Sequence, residues 1–327
     1  MSEFNRQGFV KFLAGLGYDL ENDKSIQELL RYYCLHGVKE NEFAAILAFY
    51  LQRYLRSNDE EFTAVLNSSL PQHSGKLVQS LSQKANDILS LTTYDKSDVS
   101  IIDKVVGVTK DGKKGRTLAD IQVLSPSHQP QHILELKADR CQKYLSELLP
   151  DNKLNKPPKD GCIEGLITDL KILASLQAWA VYEESTFWQG VLVYSFHQIG
   201  GPLPTGFPKY IGDESRANEE MRKIPVVDDE EEEKRWFEIC SSEVEDLGKK
   251  LVTFLSKQDF LVPPKTIHRI KAAQGTVHLH DEINSSKGRV IVHSELLIFE
   301  VEAQKEYLKG IAGRISRRYK EIFQRGN

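Results

Sequence analysis

Three consecutive stretches decide the fold: Leu118-Ala-Asp-Ile-Gln-Val-Leu124, Ser125-Pro-Ser-His-Gln-Pro130 and His132-Ile-Leu-Glu-Leu-Lys-Ala138. The outer two are apolar runs. The middle one, with two prolines, is a turn signal. The combination reads as two antiparallel strands joined by a short loop. Strand side chains alternate between faces, so Glu135 and Lys137 share one face and Leu136 points to the other. Asp120 on the neighbouring strand then brings two carboxylates and one ammonium together. Two carboxylates bind a hard divalent cation such as Mg²⁺, with Mn²⁺ as a substitute. A neighbouring Lys orients a water and steadies developing phosphate charge. This is the minimal equipment for metal-dependent phosphodiester hydrolysis. The plainer alternative is a hairpin with a charged, solvated face. Ile133, Leu134, Leu136 and Ala138 around the Glu and Lys argue for a covered one.

Outward from these strands, residues 1–95 read as helical. Phe9, Val10, Phe12, Leu13 and Leu16 suit one helix, and Ile26, Leu29, Leu30 and Tyr33 a second. The clearest helix is 41–56, where Phe43, Ile46, Leu47, Tyr50, Leu51, Tyr54 and Leu55 keep the i, i+3, i+4, i+7 pattern. A fourth helix is expected over 75–91. A β-branched strand comes next at 99–108, and Lys110-Asp-Gly-Lys-Lys-Gly115 turns it into the Asp120 strand as a hairpin. After the Glu135 strand come a short helix and a Lys/Pro-rich loop within 139–161, then a helix over 163–182. The strand Gly190-Val-Leu-Val-Tyr-Ser-Phe196 is apolar throughout, as in a strand buried on both faces. Residues 201–230 read as a loop or linker. The remainder, 231–327, reads as a C-terminal α+β extension: a helix over 231–256, strands near 275–280 and 289–301, and a basic helix over 304–324.

The Asp120 … Glu135-Leu136-Lys137 arrangement, with a helix before and after, resembles the PD-(D/E)xK nuclease superfamily. The resemblance covers residues 41–197. Leu118-Ala119-Asp120 lacks the proline that often precedes the family's Asp, whereas Glu135-Leu136-Lys137 fits its second half. It implies an α/β fold with a restriction-endonuclease-like αβββαβ core and a mixed sheet, built from 96–200 with helix 41–56, on which the N-terminal helices pack. It implies an Mg²⁺-dependent nuclease, with DNA as the substrate by family habit, and is in keeping with restriction or another anti-phage defence role. In that reading Asp120 and Glu135 hold the metal, the backbone carbonyl of Leu136 is a third ligand, and Lys137 positions the attacking water. It also implies that Glu42, opening helix 41–56, reaches the metal through water, with Glu40 as substitute if the register slips. First-turn glutamates are equally expected from the helix dipole alone. Asp169 and Lys171 fall where relatives carry charge near the scissile phosphate. An exposed charged pair is the simpler explanation of them. A module that keeps the fold and binds nucleic acid or protein without catalysis is the alternative.

Further candidates lie outside the strands. Lys153, Lys156 and Lys159 sit in the loop after the Glu135 strand and are candidates for phosphate contacts, as are Arg314, Arg317 and Arg318 at helical spacing. The arginines are also placed to pair with the acidic run Asp228-Asp-Glu-Glu-Glu-Glu233. His278, His280 and His293 alternate on the late strands and read as strand-surface histidines. Gln177 reads as a helix-surface polar residue.

The 327 residues are 40% hydrophobic and 28% charged, with a formal net charge of −4. Such a composition is that of an ordinary globular protein. The charge is unevenly placed: from Ala303 onward seven Lys/Arg face two Glu. No apolar run approaches a membrane span, and Met1-Ser-Glu-Phe-Asn-Arg6 does not read as a signal peptide. Cys34, Cys141, Cys162 and Cys240 lack metal-ligand spacing and read as reduced thiols of a cytoplasmic protein. A homodimer is compatible with all of this. A phosphate-cradling Gly-rich loop and a Ser-centred nucleophile elbow are both absent, which argues against ATP-driven and acyl-transfer chemistry.

Overall fold

The computed structural model describes residues 4–35, 40–58, 60–69, 118–140, 162–178, 185–200, 230–281 and 286–323. In chain order the elements are α1 (Arg6–Asn22), α2 (Lys24–Leu35), α3 (Glu40–Ser57), β1 (Thr63–Ser69), β2 (Leu118–Leu124), β3 (Pro130–Arg140), α4 (Cys162–Leu176), β4 (Thr186–Gly200), α5 (Glu230–Ser256), β5 (Ile267–Asp281), β6 (Ser286–Glu300) and α6 (Lys305–Phe323). The strands form one mixed sheet in the order β1-β2-β3-β4-β6-β5. Only β3 and β4 run parallel; the other neighbours are antiparallel.

Local signals explain the helices. Asn5 caps α1 by accepting the amide hydrogens of Gln7 and Gly8, at 3.0 and 3.1 Å, which satisfies donors that no helical carbonyl reaches. Glu40 and Glu42 in the first turn of α3 and Arg56 in its last complement the helix dipole.

The sheet is covered on both faces. On one side Phe9, Leu13, Phe43, Leu47 and Leu51 of α1 and α3 pack on Ile121, Leu134, Leu136, Trp188, Leu192, Leu296 and Ile298. On the other, Leu166, Leu170, Leu173, Val244, Leu247 and Ile311 of α4, α5 and α6 pack on Ile133, Phe187, Val191, Val193, Leu297 and Phe299. The alternation along β3, β4 and β6 assigns successive residues to successive cores. Lys137 and Glu135 therefore fall on the face of Ile133, under α4.

Several expectations change. The segment 63–69, expected within a helical region, is β1, and it occupies the side of β2 that the 99–108 strand was expected to take. Residues 75–91 and 99–108 lie outside the described residues, as do 201–229. The C-terminal strands are not an extension: β6 pairs with β4 and β5 with β6, so they complete the same sheet. Leu29 of α2 is outward-facing. His293 is no surface histidine; it is buried, with Nε2 2.9 Å from Glu295, which also takes a two-pronged hydrogen bond from Arg269. His278 is exposed as expected. Gln177 fixes the turn from β6 into α6, since its side chain donates to the Val301 carbonyl at 2.5 Å and accepts the Ala303 amide at 2.9 Å. Among the described residues no helix is long and apolar enough to cross a membrane.

One glycine shapes the surroundings of Glu135 and Lys137. Gly190 of β4 stands opposite Leu136 in the parallel register. A Cβ there would lie 2.6 Å from a Leu136 methyl and 3.4 Å from one of Leu296. Its absence lets Leu136 seat in the core and so fixes the pleat that presents the two charged side chains. Gly190→Ala is expected to cost about 1–2 kcal/mol by overpacking, read as a lower urea midpoint with an unchanged m value. An unaltered midpoint would show that Leu136 has room to move.

Candidate metal centre

The β2–β3 backbone register runs from Leu124 to Ile121, which pairs with Leu134. One residue on, the Asp120 side chain takes over: its Oδ2 accepts the Leu136 amide hydrogen at 2.7 Å. This anchors the carboxylate to the strand that carries Glu135 and Lys137. The Asp120 and Glu135 carboxyls lie within hydrogen-bonding reach of each other. Lys137 extends under α4, where Gly165 leaves it space: a Cβ on Gly165 would sit 3.0 Å from the Lys137 Cε. The ammonium pairs with Asp169 of α4 and Glu40 of α3, each at 3.1 Å.

Of the residues expected from the sequence, Asp120, Glu135, Lys137 and Asp169 come together. Of the two α3 glutamates it is Glu40 that pairs with Lys137. The register of α3 turns Glu40 toward Lys137, while Glu42 has a buried carboxylate oxygen with no hydrogen-bond partner. The Lys171 ammonium lies 5.8 Å from the centre of the Phe260 ring. Lys153, Lys156 and Lys159 lie outside the described residues. Arg314 is half-buried and Arg317 exposed on α6. The side chain of Arg318 lies outside the description. Gly165 carries no signal in the sequence, because its role depends on which helix covers Lys137.

The electrostatics follow from four carboxyl groups around one ammonium, a formal balance of −3 when all are ionised. Burial pushes Glu135 well above the usual carboxylate range, and the charges of Asp120 and Asp169 push it further. Burial also raises Asp120, against the opposing pull of the Leu136 amide. Asp169 is pushed up to about 6 by burial, although Lys137 pulls it down. Burial disfavours the Lys137 ammonium, but Asp169 and Glu40 outweigh it and hold Lys137 above its ordinary range. Such a cluster is neutralised by a proton or by a cation. A divalent cation would reduce the balance from −3 to −1, so the donor set fits one. Among the described residues no three His, Cys, Asp or Glu side chains converge at ligand spacing. A cation here would therefore take two carboxylates, completed by backbone and water, in the manner usual for Mg²⁺.

Comparison with protein-family profiles, with curated proteins and with solved structures finds no match to this chain.

Proposed function

We propose that the chain is a metal-dependent nuclease of the PD-(D/E)xK type, hydrolysing phosphodiester bonds, with DNA as its substrate. The observation that carries the reading is the Asp120–Leu136 hydrogen bond, which holds the Asp120 carboxyl beside Glu135, two residues before an ion-paired lysine. The order α3-β1-β2-β3-α4-β4 supports it: three antiparallel strands followed by a helical crossover to a parallel fourth. That order agrees with what an αβββαβ core of the restriction-endonuclease-like kind would need, with residues 63–69 in the place of its first strand.

Asp120 and Glu135 would hold Mg²⁺ or Mn²⁺, with the Leu136 carbonyl as a further ligand. When bound, the ion supplies Lewis-acid polarisation of the phosphodiester and charge stabilisation at the leaving oxygen. Lys137 donates a hydrogen bond to the attacking water and keeps its charge through its pairing with Asp169 and Glu40. Asp169 and Glu40 limit the arc through which the ammonium moves.

The test is purified protein with supercoiled plasmid, single-stranded DNA and RNA in Mg²⁺, Mn²⁺ and EDTA. Metal-dependent cleavage is expected, and its absence with every substrate would overturn the reading. Mg²⁺ at ten times its Kd is also expected to raise stability by about 1.4 kcal/mol through mass action. Asp120→Asn keeps an oxygen for the Leu136 amide and removes the charge. It should abolish that gain in a thermal melt. Equal gains in both proteins would place the ion elsewhere.

A further inference from the structure

From Phe187 to Val193, β4 is apolar except at Gln189, whose side chain is fully buried. A primary amide is tolerated in a core where its donors and its acceptor are matched. The Nε2 of Gln189 donates to the Gly190 carbonyl at 2.9 Å. Its Oε1 is shielded from solvent and has no hydrogen-bond partner among the described residues. Turning the amide over is no remedy, because that sets Oε1 against the Gly190 carbonyl oxygen, which only accepts. The group left over is therefore the oxygen, an acceptor without a donor.

The register places this side chain beside the candidate centre. Gln189 pairs with Glu135 of β3 on one side and with Phe299 of β6 on the other. Phe187, Val191 and Phe299 belong to the core under α4, α5 and α6. By alternation Gln189 stands on that same face, which is also the face of Glu135 and Lys137. Residues paired across neighbouring strands are about 4.8 Å apart. Of the four that surround Gln189 on this face of the sheet, Phe187, Val191, Phe299 and Glu135, only Glu135 is polar.

We infer that Gln189 is a positioning residue of the centre: its Oε1 accepts a hydrogen bond from a water carried by the divalent cation that Asp120 and Glu135 hold. This inference rests on the proposed metal-dependent reading. Mg²⁺ gives up its waters reluctantly and keeps several, and each needs an acceptor. On the β4 side of Glu135 bulk water does not supply one, because Phe187, Val191 and Phe299 are buried there. A further carboxylate at this position would deepen the negative balance of the cluster. An amide oxygen accepts without adding charge. The bond to Gly190 keeps the amide from turning, so the oxygen is held ready, as groups that orient a metal's ligands need to be.

The test is Mg²⁺ binding by calorimetry on the whole chain, with thermal melts in EDTA alongside. Gln189→Leu keeps an equivalent bulk and removes the oxygen. It is expected to weaken Mg²⁺ binding by about 10–100-fold, the range for groups that hold a metal's ligands from outside. In EDTA the same variant should melt close to the wild-type temperature, since losing the bond to Gly190 is offset by removing an unsatisfied buried oxygen. A Gln189 that serves only the fold gives the reverse: a lower melt in EDTA and an unchanged Mg²⁺ affinity. Gln189→Met, longer and without a strong acceptor, should reproduce the weakening if the Leu variant fails to fold. Unchanged affinity in a folded variant would overturn the inference, as would a wild type that binds no Mg²⁺. Loss of folding in both variants would assign Gln189 to the fold alone and overturn it too. Failure of the nuclease reading looks different: Mg²⁺ binds with the expected dependence on Gln189, but no substrate is cleaved. If the wild type cleaves while the variants keep its Mg²⁺ affinity, the role of Gln189 falls and the nuclease reading stands.

Discussion

Lys137→Ala is expected to lower metal-dependent cleavage of plasmid DNA by about 10²–10⁴-fold, the range typical of a positioned proton-handling group. The loss has two sources. The ammonium proposed to donate to the attacking water disappears, and Asp169 and Glu40 lose the charge they share at 3.1 Å. Asp169, already pushed up to about 6 by burial, then favours its protonated form still more. DNA affinity in EDTA should be little altered, because the Lys137 side chain is only 18% exposed. Lys137→Arg is not a rescue: the larger planar head must pass Gly165, where the Lys stem already fits closely. Turnover of Lys137→Ala within a few-fold of wild type would remove Lys137 from the chemistry.

The largest stability effect is expected at His132, as a dependence on pH. His132 is buried in β3, and its ring stacks on Phe9 at 4.9 Å. Its Nδ1 accepts the Trp188 indole hydrogen at 3.2 Å, and its Nε2 faces the Phe4 carbonyl at 3.2 Å. A second ring proton would point at the indole donor, and burial lowers the group to about 4 from 6.5. The unfolded chain takes up a proton below pH 6.5; the folded chain does so only near 4. The stabilisation is therefore complete above pH 6.5 and is lost as the pH falls toward 4. At 1.36 kcal/mol per unit the total is about 3 kcal/mol. Urea unfolding between about pH 7.5 and 4 should show this loss for wild type. His132→Gln has no such proton to take up, so the gap between the two proteins should narrow by that amount. Parallel curves would show that His132 ionises freely in the folded state.

What was legible in the sequence is what strand and helix periodicity carry. The alternation His132 to Ala138 placed Glu135 and Lys137 on one face, and the spacing of Phe43, Leu47 and Leu51 marked α3. The missing parts depend on contacts distant along the chain. Whether Glu40 or Glu42 meets Lys137 turns on how α3 is rotated above the sheet, and both glutamates satisfy the helix dipole equally well. β1 is short and ends in Asn-Ser-Ser, and its strand character comes from pairing with β2. β5 and β6 read as strands, but their membership in the same sheet is decided by β6 pairing along nearly the whole of β4. His132 gave no signal because its partners Phe4 and Trp188 are brought to it only by the fold.

Lys137 is tied to α3 from one helical layer and to α4 from the other. The layers are otherwise separated by the sheet and by two independent apolar cores, so this ammonium stitches them together at the candidate centre. A stitch made of charge stiffens differently from one made of hydrocarbon. Its Glu40 arm, with that side chain 36% exposed, is screened by salt sooner than its Asp169 arm at 18%. Ionic strength therefore loosens the tie to Glu40 in the first turn of α3, whose later turns are held by the apolar core, before it loosens the tie to α4.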